Sequence, residues 1–234
     1  MKYIPVFKNE SKQIVKKIKE FIPQEIKSMM SISTDLAELN VQRFNRWKFS
    51  NVYSEYRVQA ITAFSGEVYK AFNVNSLKES EILKANDTIR IISGLYGILK
   101  PFDYIYPYRL EMGTSFSPIE NQKNLYEFWS DKIRKQLQKE MKKDEVLINL
   151  SSNEYAKAAQ LKRIKNKVIT PVFKEIKGEK HTVVMMYAKH ARGSMARYII
   201  ENQIEDAEWL KNYSVDGYSF DDKISNENEW VFVR

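Results

Sequence analysis

Gly94 to Gly113 reads G-L-Y-G-I-L-K-P-F-D-Y-I-Y-P-Y-R-L-E-M-G. It holds five aromatics, three glycines and two prolines, with Lys100 and Arg109 its only basic groups. Glycine and proline interrupt any long helix or strand here, and bare aromatic rings are costly in water. The stretch is therefore expected to be an irregular, packed wall, and functional sites tend to sit on such walls. A loop that merely covers the core fits these residues equally.

Outward from it the chain turns regular. Towards the N-terminus, Glu10–Phe21 carries Ile14, Ile18 and Phe21 at helical spacing. Pro23 opens a second helix to Met30. Ser33–Trp47 reads as a third, with Ser33 as cap and Leu36, Leu39, Phe44 and Trp47 on one side. Gln59–Phe64 is strand-like, and Ser65–Gly66 turns into a helix to Phe72. Glu79–Lys84 is helical, and Thr88–Ile92 fits a strand or the end of that helix. Beyond the wall, Asn124–Met141 is expected to be one long helix, and Val146–Leu150 a short buried strand. Val168–Phe173 and His181–Tyr187 read as strands joined through a Lys177–Gly178 turn. Ala188–Asn202 and Ala207–Lys211 read as helices, and Tyr213–Phe220 and Glu229–Val233 as late strands. With no repeat or linker, the expectation is a single compact α/β (mixed α+β) domain over residues 1–234, a mixed sheet with flanking helices.

Composition removes several chemistries. The 234 residues contain no cysteine, which excludes disulfides, zinc thiolates, iron–sulfur clusters and thiol-based peroxide sensing in this chain. Only His181 and His190 are present, with no H-E-x-x-H spacing, so no metal site and no cofactor is expected. No apolar run reaches the roughly 18 residues of a membrane span. The opening M-K-Y-I-P-V-F-K-N-E is too charged for a signal peptide, and a cytoplasmic location is expected.

Charge is unevenly placed. Tyr155–Ile200 holds 11 Lys or Arg against Glu175 and Glu179, whereas Glu201–Arg234 holds 9 acidic residues against 3 basic. Such a block is the footprint of an anion-binding face, usually for nucleic acid; a solvated lysine-rich surface gives the same count.

Three constellations stand out. In A-K-H-A-R-G-S-M-A-R-Y-I-I-E-N (188–202), Arg192 falls among Met195, Ala196, Ile199 and Ile200, flanked by Lys189 and Arg197. A cation there is costly unless paired or facing a wet cleft, and no acidic residue lies between Lys180 and Glu201 to pair with it locally. In I-N-L-S-S-N-E-Y (148–155), a strand ends in Asn149, Ser151, Ser152, Asn153 and Glu154, with Tyr155 beyond. This is either a binding crevice or a helix cap at Ser152. In the opening stretch, Arg109 and Glu111 share a strand face. Gly94–Gly97 matches weakly the glycine turn of a helix-hairpin-helix, whose N–H groups approach a DNA phosphate.

These residues are collinear with a known pattern. S-I-S-T-D-L-A at Ser31, Q-A-I-T-A-F-S-G-E-V-Y at Gln59, S-G-L-Y-G-I-L-K-P-F-D at Ser93 and P-Y-R-L-E-M-G at Pro107 match, followed by N-L-Y-E-F-W at Asn124. I-N-L-S-S-N-E-Y at Ile148, P-V-F at Pro171, Y-A-K-H-A-R-G-S-M-A-R-Y-I-I-E-N at Tyr187 and G-Y-S-F-D at Gly217 continue it. The chain resembles the bacterial YaaA family of peroxide stress response proteins from about residue 31 onward. The resemblance implies a cytoplasmic protein that limits free iron and its damage to DNA. It further implies a positively charged cleft, a helix-hairpin-helix-like element and binding of duplex or distorted DNA without sequence preference, and it attaches no firm reaction. Family members usually begin with a strand ending in a pattern like I-S-P-A-K-T, where this sequence starts M-K-Y-I-P-V-F.

The expected DNA contacts are Lys100, Arg109, Lys189, Arg192 and Arg197, with Asn149, Ser152 and Tyr155 as polar cleft residues in a monomer. The alternative is an enzyme acting on a nucleic acid or nucleotide. There Tyr104, Tyr106 and Tyr108 would stack a base, and Glu111 or Glu154 would serve as acid or base. Direct iron binding is left only Asp216, Asp221 and Asp222, a weak set.

Overall fold

The computed structural model describes residues 3–48, 54–178 and 180–234; Glu179, counted above, lies outside them. In chain order the helices are α1 (Lys8–Ile18), α2 (Pro23–Met30), α3 (Thr34–Arg46), α4 (Ala60–Ala63) and α5 (Glu67–Phe72). They continue with α6 (Glu79–Thr88), α7 (Leu125–Trp129), α8 (Lys132–Glu140), α9 (Asn153–Ala158) and α10 (Met185–Glu201). The strands are β1 (Val58–Gln59), β2 (Ile91–Ser93), β3 (Gly97–Leu99), β4 (Tyr104–Ile105) and β5 (Leu147–Ile148). β6 (Val168–Lys177), β7 (Lys180–Thr182), β8 (Ser219–Phe220) and β9 (Glu229–Val233) complete them. The mixed α/β class is as expected. Among the described residues no helix is long and apolar enough to cross a membrane. The chain folds as two compact units: one of residues up to Ala63, Ile89–Leu137 and Asn153–Leu161, the other of Phe64–Thr88, Gln138–Ser152 and Lys162–Arg234.

The first unit begins with three helices. α1 buries Ser11, Ile14, Val15 and Ile18, the 3,4 spacing of one face. α2 carries Pro23 in its first turn and ends at Ser31, which takes the left-handed conformation. The Ser33 side chain accepts from Leu36 N–H and caps α3. The buried stripe of α3 is Ala37, Asn40 and Phe44, not the expected Leu36 and Leu39, which stay exposed. Asn40 explains the shift. It is fully buried, donates to Leu36 O (2.7 Å) and accepts from Arg109 N–H (2.9 Å), so the face that carries it must turn inward.

The wall stands on two short antiparallel ladders, β1–β4 and β2–β3. Gly94–Gly97 is the turn of the β2–β3 hairpin, with Ser93 paired to Gly97 and Gly97 at φ +69°. Strands flank it on both sides, so no helix-hairpin-helix forms at these glycines. A side chain at Gly94 would place its Cβ 2.4 Å from Leu110 O, because the stretch folds back on its own backbone. Trp47 Nε1–H (2.9 Å) and Tyr106 N–H (3.1 Å) both donate to the buried Tyr96 hydroxyl. Gln59–Phe64 is strand only at its start. Thr62 Oγ1 donates to Gln59 O and closes the turn that becomes α4.

The expected long helix at Asn124–Met141 breaks at Ser130 (φ 46°, ψ −117°) into α7 and α8. Gln160 Nε2 donates to the Ser130 carbonyl (2.7 Å), so the break leaves that acceptor satisfied. The break lets Trp129 Nε1–H reach Gly94 O (2.9 Å) while Phe128, Ile133 and Leu137 remain buried.

The second unit is a mixed sheet in the order β5-β6-β9-β8, with β7 paired to the far end of β6. β5–β6 and β6–β9 are parallel; β8–β9 and β6–β7 are antiparallel. Ile169, Pro171 and Phe173 alternate inward along β6, the period of a strand with one buried face. Gly178 at φ +61° makes the β6–β7 turn. The expected strand to Tyr187 stops at Thr182, and α10 begins at Met185, three residues before the expected start at Ala188. Asp216 (φ 57°) and Gly217 (φ 79°) cut the strand expected from Tyr213 down to β8. Ala188, Ala191 and Met195 of α10 join Phe173, Leu210, Tyr213, Tyr218, Trp230 and Phe232 in the core.

Candidate functional site

In the second unit, α10 is held close to α5 by Gly193, whose Cβ position falls 2.0 Å from Val68 O. That close approach fixes where its neighbours lie. Arg192 is half-buried, and its Nε has no hydrogen-bond partner among the described residues. Burial pulls its guanidinium below the ordinary arginine pKa. Lys189, one turn earlier, is exposed. The two cations share a side of the helix.

Arg197 has a different fate. Its Nη1 donates to Phe72 O (3.0 Å), Asn73 O (2.9 Å) and Ser76 Oγ (2.8 Å), and its Nη2 to Glu201 (2.6 Å). It therefore caps the C-terminal end of α5, satisfying carbonyls that a helix end leaves open. His190 Nε2 lies 3.5 Å from Asp216, and Asp221 accepts from Lys223 N–H. Asp216 and Asp221 thus each have a local partner. Among the described residues no group of three His, Cys, Asp or Glu is placed to hold a metal ion.

At the end of β5, Asn149 Oδ1 accepts from both the N–H (3.1 Å) and the hydroxyl (2.7 Å) of Ser151, and its Nδ2 donates to Thr170 Oγ1 (3.2 Å). These bonds close the strand end on itself. Ser152, half-buried, immediately precedes α9, and its carbonyl accepts from Ser151. Asn149→Ala is expected to cost about 1.5 kcal/mol in urea unfolding, and Asn149→Asp, which keeps the acceptor, about half of that. Wild-type stability in Asn149→Ala would mean that these bonds contribute nothing to the fold.

A second group of cations is built by a residue that the sequence did not single out. Asn166 Nδ2 reaches the carbonyls of Lys142 (2.8 Å), Lys143 (3.2 Å) and Glu145 (2.9 Å). This ties the loop before β5 to the loop before β6. The exposed Lys142 and Lys143 are drawn beside the exposed Lys165 and Lys167.

In the first unit, Lys100 is exposed at the turn after β3, its N–H donating to Asp103 (2.8 Å). Arg109 and Glu111 form an exposed ion pair at 2.7 Å, as their spacing allowed. Glu154, at the start of α9, accepts from Gly113 N–H (2.7 Å). Burial, with Glu154 and Glu111 close by, pushes the Tyr155 hydroxyl well above the ordinary tyrosine range. Burial and Glu154 push Tyr126 the same way, and Lys157 sits 4.6 Å above its ring. The segment Arg109–Gly113 and the start of α9 are thus brought together. Tyr106 is buried beneath the Arg57 guanidinium (4.9 Å), so it cannot stack a base as the enzyme alternative required. Tyr108 is half-buried, its hydroxyl bonded to Ser93 Oγ.

Comparison with known proteins agrees along nearly the whole chain. The sequence profile of a family described as peroxide stress protein YaaA matches residues 2–224. A protein of Neisseria meningitidis serogroup A, named UPF0246 protein NMA1114, is 42% identical over 227 residues, 96% of this chain and 87% of the relative. A UPF0246 protein of Paraburkholderia phytofirmans is 41% identical over 237 residues, 99% of this chain and 90% of its own. The UPF0246 protein FP0718 of Flavobacterium psychrophilum is 42% identical over 231 residues, covering 98% and 90%.

Proposed function

The chain belongs to the YaaA peroxide stress protein family, and on that premise we propose that it binds DNA through the cations of the second unit and so helps limit iron-dependent oxidative damage. The observation that carries the reading is Arg192. A half-buried guanidinium without a carboxylate partner is an unfavourable arrangement for a free protein. A phosphate against the guanidinium would supply the missing countercharge, and Lys189 lies one turn away on the same side of α10. The lysines gathered by Asn166 add a second exposed positive group in the same unit.

Contacts of this kind go to the backbone and read little sequence, so affinity should fall steeply with salt. Arg109 and Lys100 of the first unit are further candidate contacts, while Arg197 serves by holding α5 against α10. The reading needs no iron site in this chain. Protection would come from occupying DNA where ferrous iron and peroxide react.

Fluorescence anisotropy of a labelled duplex across a salt series tests it. Arg192→Ala is expected to weaken binding at every salt concentration and lower the log–log salt slope by about one. Plasmid nicking by ferrous iron and peroxide should be slowed by the wild-type protein and less so by the variant. Unchanged binding in Arg192→Ala across the series would remove the reading.

A further inference from the structure

The second unit carries an oxidisable pair that the DNA reading does not use. Met185 and Met186 occupy the first turn of α10 and are 62% and 60% exposed, among the barest large apolar side chains of the described residues. The other described methionines are more covered: Met112 and Met195 are fully buried, and Met29, Met30 and Met141 are half-buried. The chain has no cysteine, so thioethers are its most oxidisable groups. Their position is specific. Met185, Lys189 and Arg192 stand four and seven residues apart on one helix, along one face.

We propose that Met185–Met186 is a redox modification site, at which hydrogen peroxide converts the thioethers to sulfoxides and thereby weakens polyanion binding at Lys189 and Arg192. In each step the peroxide O–O bond breaks and one oxygen bonds to Sδ. The sulfur gives up two electrons, and the second oxygen leaves as water with both protons. The sulfoxide is polar and a strong acceptor, where the thioether was neither. On the first turn it stands beside the Lys189 ammonium and competes with phosphate for it. Both side chains are in water already, so the fold tolerates the change. The effect on binding rests on the proposed DNA reading; the oxidation itself does not.

The test treats the folded protein with hydrogen peroxide and maps sulfoxide by peptide mass spectrometry. Met185 and Met186 are expected to oxidise at least about tenfold faster than Met112 and Met195, and ahead of Met29, Met30 and Met141. Duplex affinity is then measured before and after treatment, in wild type and in a Met185→Leu, Met186→Leu double variant. Treatment should lower affinity about threefold in wild type, leave the double variant unchanged, and be reversed by methionine sulfoxide reductases. Even oxidation of all methionines overturns the proposal, as does selective oxidation without loss of affinity, or equal loss in the double variant. If the untreated protein binds no duplex, the DNA reading fails, and the peptide map still decides whether the site is selectively modified.

Discussion

Gly193→Ala should destabilise the protein by about 3 kcal/mol, at the upper end of what overpacking costs. The added Cβ would lie 2.0 Å from Val68 O and 2.8 Å from Ala71 Cβ. Ordinary contact between such atoms begins near 3.4 Å, and the nearer one is a backbone carbonyl that cannot rotate away. α10 and α5 would have to separate. Separation draws Arg197 off Phe72 O and Asn73 O. Alanine in place of glycine favours a helix by about 1 kcal/mol, which offsets only part of this. Gly66→Ala is the internal control. Nothing lies within 4 Å of its Cβ position and its φ is −66°, so it should unfold like wild type. Urea denaturation of both variants checks the argument. A Gly193→Ala midpoint matching Gly66→Ala would mean that the helices do not need this contact. Because Arg192 adjoins Gly193, a partly separated pair should lose duplex affinity along with stability.

How far the sequence can be read depends on whether the deciding contact is local. α2 and β9 fall where expected to the residue. Pro23 fixes the start of α2, and Glu229–Val233 is a short β-rich run that pairs on both sides, with β6 and β8. The rest of the discrepancies have distant causes. The break at Ser130 depends on Gln160 and on Gly94, neither near in sequence. The rotation of α3 depends on Asn40 meeting Arg109, 69 residues away. The glycines of Gly94–Gly97 do mark a turn, but nothing in them says whether helices or strands flank it. The candidate site divides in the same way. Arg192 was legible because no acidic residue lies near it in sequence. Arg197 looked equivalent, and its acceptors at Phe72, Asn73 and Ser76 lie 121 to 125 residues away. Asn166, which gathers four lysines, gives no signal beyond an amide between two of them.

Trp129 offers the sharpest test of the aromatic wall on which the first unit is built. Its side chain is among the largest fully buried ones, packed at 5.4 Å from Phe7 and 5.2 Å from Phe128. It also fills the space beside Gly97, where a Cβ would come within 2.6 Å of its ring. Trp129→Ala should therefore cost about 4 kcal/mol, the loss of apolar contact plus the cavity left behind. Trp129→Phe separates two contributions. It keeps most of the ring but leaves Gly94 O without the Nε1 donor, an expected cost of about 1.5 kcal/mol from the unmet acceptor plus a smaller packing loss. Near-UV circular dichroism and urea unfolding, read together, distinguish the cases. If the phenylalanine variant loses as much as alanine, the hydrogen bond to Gly94, rather than ring volume, closes the β2–β3 hairpin. If the alanine variant loses under about 1 kcal/mol, the wall can collapse onto the vacancy, and its packing does not position Arg109–Gly113. The large alanine cost with a modest phenylalanine cost is the expected pattern, because Gly97 can lie that close only to a broad flat ring that arrives from a broken helix.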